Sequence, residues 1–204
     1  MQFYEALKSH YTVRSYSPRP VERDKLLRVI EAALYAPTYM NQKDFRLILT
    51  RTRFMQEELT QICSDPWFVE APYVLGVIST HAQTKKFAKD FSHTDCASVL
   101  SQIMTSATNE GLGTCWVANF NTWQARAVLR LPEDAIPIAF TPLGYPGTEH
   151  RTEMIIVPQL DDYLMYEYWT GEEDRENSKS WLADPKSSGR RLVYRQPSPK
   201  KEES

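Results

Sequence analysis

Apolar positions along the 204-residue chain follow two patterns: a helical repeat of about 3.6 residues, and short continuous apolar runs. After a short amphipathic opening marked by Phe3 and Leu7, Glu22 to Tyr35 places Leu26, Leu27, Ile30, Ala33 and Leu34 on one helical face. Glu22 and Asp24 occupy its first turn, where carboxylates complement the helix dipole, and Pro37 stops it. Arg46 to Thr50 predicts a strand and Phe54 to Cys63 a helix. Tyr73 to Ser79 is largely apolar without alternation, the pattern of a strand covered on both faces. The strongest helix begins at Thr94, with Cys96, Val99, Leu100, Ile103, Met104 and Ala107 in helical register. Gly111 supplies its left-handed cap, and Leu112 stands where a Schellman turn makes its apolar contact. Thr114 to Ala118 predicts a second buried strand, Thr122 to Leu131 a helix, and Ile138 to Leu143 a strand ending in Gly-Tyr-Pro-Gly. Several connections between strands are too short to guarantee a parallel crossover, so the expected class is α+β.

Composition narrows the picture. At 42% apolar residues, one globular domain over residues 1–169 is expected to bury a core without a disulfide or metal staple. Residues 170–204 are polar and rich in Pro, Ser, Lys and Glu, which predicts a tail. Cys63, Cys96 and Cys115 form no ligand or disulfide pattern; Cys96 and Cys115 fit the core, as does Trp116. No metal site is expected. No apolar run reaches the roughly 18 residues of a membrane span, and Met1 to His10 lacks a signal-peptide core, so the expected location is cytoplasmic. A net charge of -2 argues against nucleic acid as a partner. The chain has no phosphate-binding P-loop, and its one Gly-x-Gly, at Gly111 to Gly113, follows a helix where a dinucleotide fingerprint follows a strand.

Three segments carry candidate chemistry: His10-Tyr11-Thr12-Val13-Arg14-Ser15-Tyr16 followed by Pro20-Val21, then Ala36-Pro37-Thr38-Tyr39-Met40-Asn41, then Asp95 through Gly111-Leu112-Gly113-Thr114-Cys115-Trp116 to Gly144-Tyr145-Pro146. In order and spacing they resemble the FMN-dependent nitroreductase family over about residues 3 to 168. The resemblance implies a nitroreductase-like fold with a central, mainly antiparallel sheet flanked by helices, in an intertwined homodimer that binds two FMN molecules at the subunit interface. It implies an NAD(P)H oxidoreductase, using NADH or NADPH, that reduces small nitroaromatic, quinone or activated-alkene acceptors by a ping-pong mechanism.

By the same resemblance, Arg14 reaches the pyrimidine end and ribityl side of the flavin. Thr12, with positions 10 and 11, serves the phosphate end, where His150 and Arg151 also stand near. Thr38, Tyr39 and Asn41 come from the partner chain, and the backbone amides of Ala118 and Asn119 face flavin N5 and O4. These residue types suit the task, because a guanidinium beside a reduced flavin keeps its charge and stabilises the negative ring. Backbone donors orient the ring without adding a competing acid, so no catalytic side chain is expected and the flavin carries the chemistry.

Other readings of the same residues stay open. Arg14 could pair with Glu5 or Glu22 on the surface, and Asn41 could simply cap the turn after Pro37. His10 and Tyr11 stand where family members carry two arginines, and Lys43-Asp44-Phe45 replaces Gln-Pro-Trp. A charged hydrogen bond contributes about 1.5 to 3 kcal/mol, so these losses weaken the phosphate end. The alternative is therefore a non-catalytic or weakly FMN-binding dimer that holds a ligand or partner.

Overall fold

The computed structural model describes residues 3–80, 91–147 and Tyr163. His150, Arg151, the expected domain boundary and the tail lie outside the described residues. The elements run in the order α1 (Phe3–Ser9), α2 (Arg23–Glu31), β1 (Phe45–Arg51), α3 (Gln56–Ile62), β2 (Tyr73–Ser79), α4 (Ser92–Asn109), β3 (Gly113–Thr114), α5 (Thr122–Val128) and β4 (Ile136–Gly144). The strands form an open antiparallel sheet in the order β1-β2-β4-β3, consistent with the α+β class.

Each face of the sheet carries helices, and β2 explains why. Its side chains alternate, so Leu75 and Val77 enter the layer shared with α2 and α4, while Val74 enters the layer shared with α3 and α5. Buried on both sides, the strand requires the continuous apolar run seen in its sequence. All six apolar positions of α4 are buried, including Val99, Leu100 and Ile103 at no measurable exposure. On the other face Leu59, Ile62, Phe68 and Phe140 form the second cluster. The α4 helix ends as its sequence requires. Gly111 adopts φ +74°, its N–H donates to Thr108 O at 3.0 Å, and the Leu112 N–H donates to Ala107 O at 2.8 Å. Those are the two bonds of a Schellman motif, and Leu112 is buried in the same cluster as Ala107.

Three expectations need correction. The α2 face is narrower than its spacing implies. Leu26, Val29 and Ala33 are buried, whereas Leu27 is 50% and Leu34 61% exposed, because α4 covers only one side of the helix. The strand expected over Thr114 to Ala118 pairs as a ladder only at Gly113 and Thr114. Continuing the register would set Cys115 opposite Pro142, which has no N–H to donate. The Cys115 N–H turns instead to the Thr141 hydroxyl at 3.3 Å, and pairing resumes unshifted at Val117, which exchanges two 2.9 Å bonds with Phe140. In that gap Trp116 faces outward at 43% exposure and is not a core residue, while Cys96 and Cys115 are buried as expected.

Segment 12–17 is sewn onto this framework. Thr12 bridges Thr114 in parallel, the Val13 N–H donates to Thr114 O at 2.9 Å, and Tyr16 bridges Pro146. Val13 is so close to Gly113 that a Cβ there would stand 2.6 Å from Val13 Cγ2. Gly113→Ala should therefore destabilise the fold by about 1 to 3 kcal/mol, as overpacking does, read as a lower urea midpoint with an unchanged m-value.

Candidate functional site

The opening segment, the turn after α4 and the end of β4 meet at one junction. The Ser17 N–H donates to Tyr145 O and the Gly147 N–H to Ser15 O, each at 2.8 Å, so residues 15–17 and 145–147 run as a short antiparallel pair. Gly147 permits this closeness, since a Cβ there would lie 2.6 Å from Ser15 Oγ. The Tyr16 hydroxyl donates to Val13 O at 2.9 Å, and burial pushes its pKa well up, so it remains a donor. The Glu70 carboxylate accepts the Tyr16 N–H at 3.2 Å.

Arg14 projects from this segment into solvent, with its guanidinium 5.9 Å from the Trp67 ring centroid. Stacking on an indole holds a guanidinium in place without neutralising it. Glu22 pairs with Arg19 at 3.0 Å. Thr12 and Tyr11 are half-buried beside it. Past Val117, Ala118 and Asn119 are exposed, and their backbone amides have no hydrogen-bond partner among the described residues. Asn121 then caps α5, its side-chain oxygen accepting the Gln124 N–H at 3.1 Å. Buried at the junction, the Thr114 hydroxyl also lacks a partner among the described residues. An exposed guanidinium, two exposed backbone amides with no partner among the described residues and the exposed Trp116 indole thus follow from the junction and the strand beyond it.

His10 differs from its expected role. Thr108 Oγ1 donates its proton to Met104 O at 3.0 Å, so it accepts from His10 Nδ1–H, also at 3.0 Å. That bond leaves Nε2 as a bare acceptor in the neutral ring. Desolvation lowers the His10 pKa from its ordinary 6.5, so the ring is predominantly neutral at pH 7 rather than partly charged.

Thr38, Tyr39 and Asn41 lie elsewhere. Asp95 Oδ1, in the first turn of α4, accepts the Tyr39 N–H at 2.9 Å, and the Tyr39 ring stacks on Phe91 at 4.1 Å. Met40 and Asn41 both adopt left-handed backbone, at φ 50° and 55°, in a turn closed by the Gln42 N–H on Tyr39 O at 3.0 Å. Asparagine tolerates that conformation, while methionine is strained in it. The turn thrusts Met40 outward at 73% exposure and leaves the Thr38 hydroxyl buried without a partner among the described residues. Asp95 and Thr108 mark opposite ends of α4. At 1.5 Å per residue the Tyr39 turn and the His10 junction are about 20 Å apart along the helix. The two groups of expected site residues thus stand at opposite ends of α4.

Sequence reasoning did not find Trp67 and Glu70, which lie on a turn more than fifty residues from Arg14 and follow no local pattern. It read Asp95 only as a favourable first-turn acid; its bond to Tyr39 is set by tertiary placement. Among the described residues no group of three or more His, Cys, Asp or Glu side chains is placed to hold a metal ion.

The His10 environment has a measurable consequence. Because the folded-state pKa is lowered, the unfolded chain takes up this proton first as pH falls. The stability His10 contributes is complete above pH 6.5 and is lost as pH drops through 6.5 toward the folded value. Urea unfolding from about pH 7.5 to 5 should show a component of acid destabilisation that His10→Gln removes.

Comparison with known proteins follows the same geometry. The family described as Nitroreductase matches residues 7–73 and 55–145. A nitroreductase family protein of Clostridium difficile 630 superposes with a TM-score of 0.73 at 28% identity, over 83% of this chain and 100% of that one. The FMN reductase (NAD(P)H) of Bacillus subtilis strain 168 is 21% identical over 228 residues, spanning 93% of this chain and 92% of that protein. A nitroreductase of Bacteroides fragilis NCTC 9343, solved with bound FMN, shares the fold at 20% identity and a TM-score of 0.64, over 78% of this chain and 95% of the other. Because the matched residues span the opening segment, the Tyr39 turn, all of α4 and the Gly-Tyr pair that closes the junction, the chain belongs to the nitroreductase family.

Proposed function

We propose that the protein is an FMN-dependent NAD(P)H oxidoreductase of small nitroaromatic, quinone or activated-alkene acceptors, working in the cytoplasm as a homodimer whose two chains share each site. One observation carries this reading: two half-sites stand about 20 Å apart at opposite ends of α4, each with polar groups that lack partners among the described residues. A second copy of the chain completes both. Leu27, Leu34, Tyr35 and Met40, all at least half exposed, supply apolar surface for that partner near the α2 and Tyr39 elements. The FMN named for the Bacillus and Bacteroides relatives supports the cofactor.

The residues fit the group. Its dianionic and polar edges call for a cation and directional N–H donors, and the chain offers Arg14 and the exposed amides of Ala118 and Asn119, which have no partner among the described residues. In this reading Arg14 holds the pyrimidine and ribityl side, Ala118 and Asn119 hold the N5 and O4 edge, and Thr12 serves the phosphate. Tyr11, His150 and Arg151 complete the phosphate end, where His10, with its N–H committed to Thr108, supplies no donor, and the partner subunit's Thr38, the partner's Tyr39 and the partner's Asn41 close the site. When bound, FMN supplies the electron transfer between nicotinamide and acceptor. Arg14 contributes charge and no proton, because a guanidinium stays protonated at working pH. The amides orient without reorganising. A single rim admits the nicotinamide and then the acceptor, which makes turnover ping-pong.

One observation favours the alternative of a weakly FMN-binding, non-catalytic dimer: His10 is predominantly neutral at pH 7 and committed to Thr108, so it adds no fixed charge at the phosphate end. Flavin absorbance of the purified protein distinguishes the two.

Mixed dimers test the shared site. Arg14→Ala and Asn41→Ala homodimers should each lose FMN affinity, the first by about 10- to 100-fold if a charged hydrogen bond is removed. A heterodimer of one variant chain with the other has one intact site, and should bind one FMN per two chains. A heterodimer in which both sites are as weak as those of its parents would show that each site draws Arg14 and Asn41 from the same chain.

A further inference from the structure

The Gly144-Tyr145-Pro146 turn is held from two directions. On the side-chain side, the Tyr145 hydroxyl donates to Glu22 Oε2 at 2.6 Å and accepts from Lys25 Nζ at 3.0 Å. Lys25 also donates to the Glu110 carbonyl, at the cap of α4, at 2.9 Å. The Arg28 guanidinium forks onto the Glu110 carboxylate at 2.9 and 2.8 Å. Arg19 lies 3.9 Å from the Tyr145 ring centroid and donates to Glu22 Oε1 at 3.0 Å. On the main-chain side, the Tyr145 carbonyl accepts the Ser17 N–H, and its neighbours Pro146 and Gly147 pair with Tyr16 and Ser15.

Tyr145 therefore adds a side-chain link between two bodies that the backbone joins at Val13 and Thr114. Its phenol is fixed to α2 and, through Lys25, to the end of α4; its main chain is fixed to the segment that carries Thr12 and Arg14. The link is well made. Glu22 is exposed, yet the Tyr145 hydroxyl above all, with a backbone bond and Arg19, brings its carboxyl down to about 2, so it accepts the phenol proton as a carboxylate at any working pH. A charged acceptor strengthens such a bond relative to a neutral one.

We infer that Tyr145 is a positioning residue of the flavin site: held by Glu22 and Lys25, it sets where segment 12–17, and with it Arg14, stands on the rim. The inference rests on the FMN reading above. No side chain of this network belongs to the rim itself, so its effect on cofactor binding must pass through the Tyr145 main chain.

The test uses the full-length protein, with FMN titrated into the apo form and the midpoint potential of the bound flavin measured. Tyr145→Phe and Glu22→Ala should each weaken FMN binding by about tenfold, and the double variant by no more than either, because both break one link. Glu22→Gln keeps an acceptor for the phenol and should stay within about twofold of wild type. The potential should fall in Tyr145→Phe and return in Glu22→Gln, a pattern that loss of stability alone does not produce. Unchanged affinity and potential in Tyr145→Phe would overturn the inference and leave the FMN reading standing. Equal losses in Glu22→Gln and Glu22→Ala would also overturn it, by tracing the effect to surface charge. A wild-type protein that binds no FMN would overturn the FMN reading and this inference together.

Discussion

The burial of one apolar stripe on α4 determines most of what the molecule can do. Val99, Leu100, Ile103 and Ala107 lie between α2 and the sheet with no measurable exposure, and burying a large apolar side chain contributes about 1.5 to 3 kcal/mol. A helix held along its length acts as a ruler. Asp95 fixes the Tyr39 turn at one end, Thr108 receives His10 near the other, and Glu110 receives Lys25 and Arg28 at the cap. The spacing between half-sites is thus a property of the core. No local rearrangement of loops closes about 20 Å within one chain, so the Tyr39 turn and the His10 junction stay apart in it.

Opposed to this rigidity is the way the rim is made. The ladder that should run through Cys115 stops because Pro142 has no proton to give, and the chain uses the interruption to turn Trp116 outward. Beyond Val117 it leaves two amides without partners among the described residues. Regular pairing would have consumed those donors. A buried donor without a partner is costly, while an exposed one is available, and the rim keeps its donors exposed.

The core was legible in the sequence because periodicity records burial directly. The α4 stripe, the Gly111 cap and the two-faced β2 run all follow from spacing, and each appears where expected. Leu27 and Leu34 misled because an apolar residue at helical spacing looks the same whether it faces the core or lies exposed. Trp116 misled for a related reason: the interruption is caused by Pro142, more than twenty residues away. The three motifs were visible as strings, and the structure brings two of them together at the junction and leaves the third at the far end of α4. What no string could supply is the setting of His10. Its neutrality follows from desolvation and from a hydroxyl whose own proton is committed to Met104.

The seam between residues 12–17 and the far end of the chain has a consequence for how the protein comes into being. Val13 meets Thr114, and Ser15 meets Gly147, so the seam closes loops of roughly a hundred residues or more, and closure entropy rises with loop length. The α4 cap closes within a few residues, and the β1–β2 pair within a few tens. Contacts of low separation form at lower entropic cost, so the helix and the central strands can assemble before the seam does. A newly made chain is in this sense a packed core first and a closed seam second, and the first seventeen residues convert one into the other.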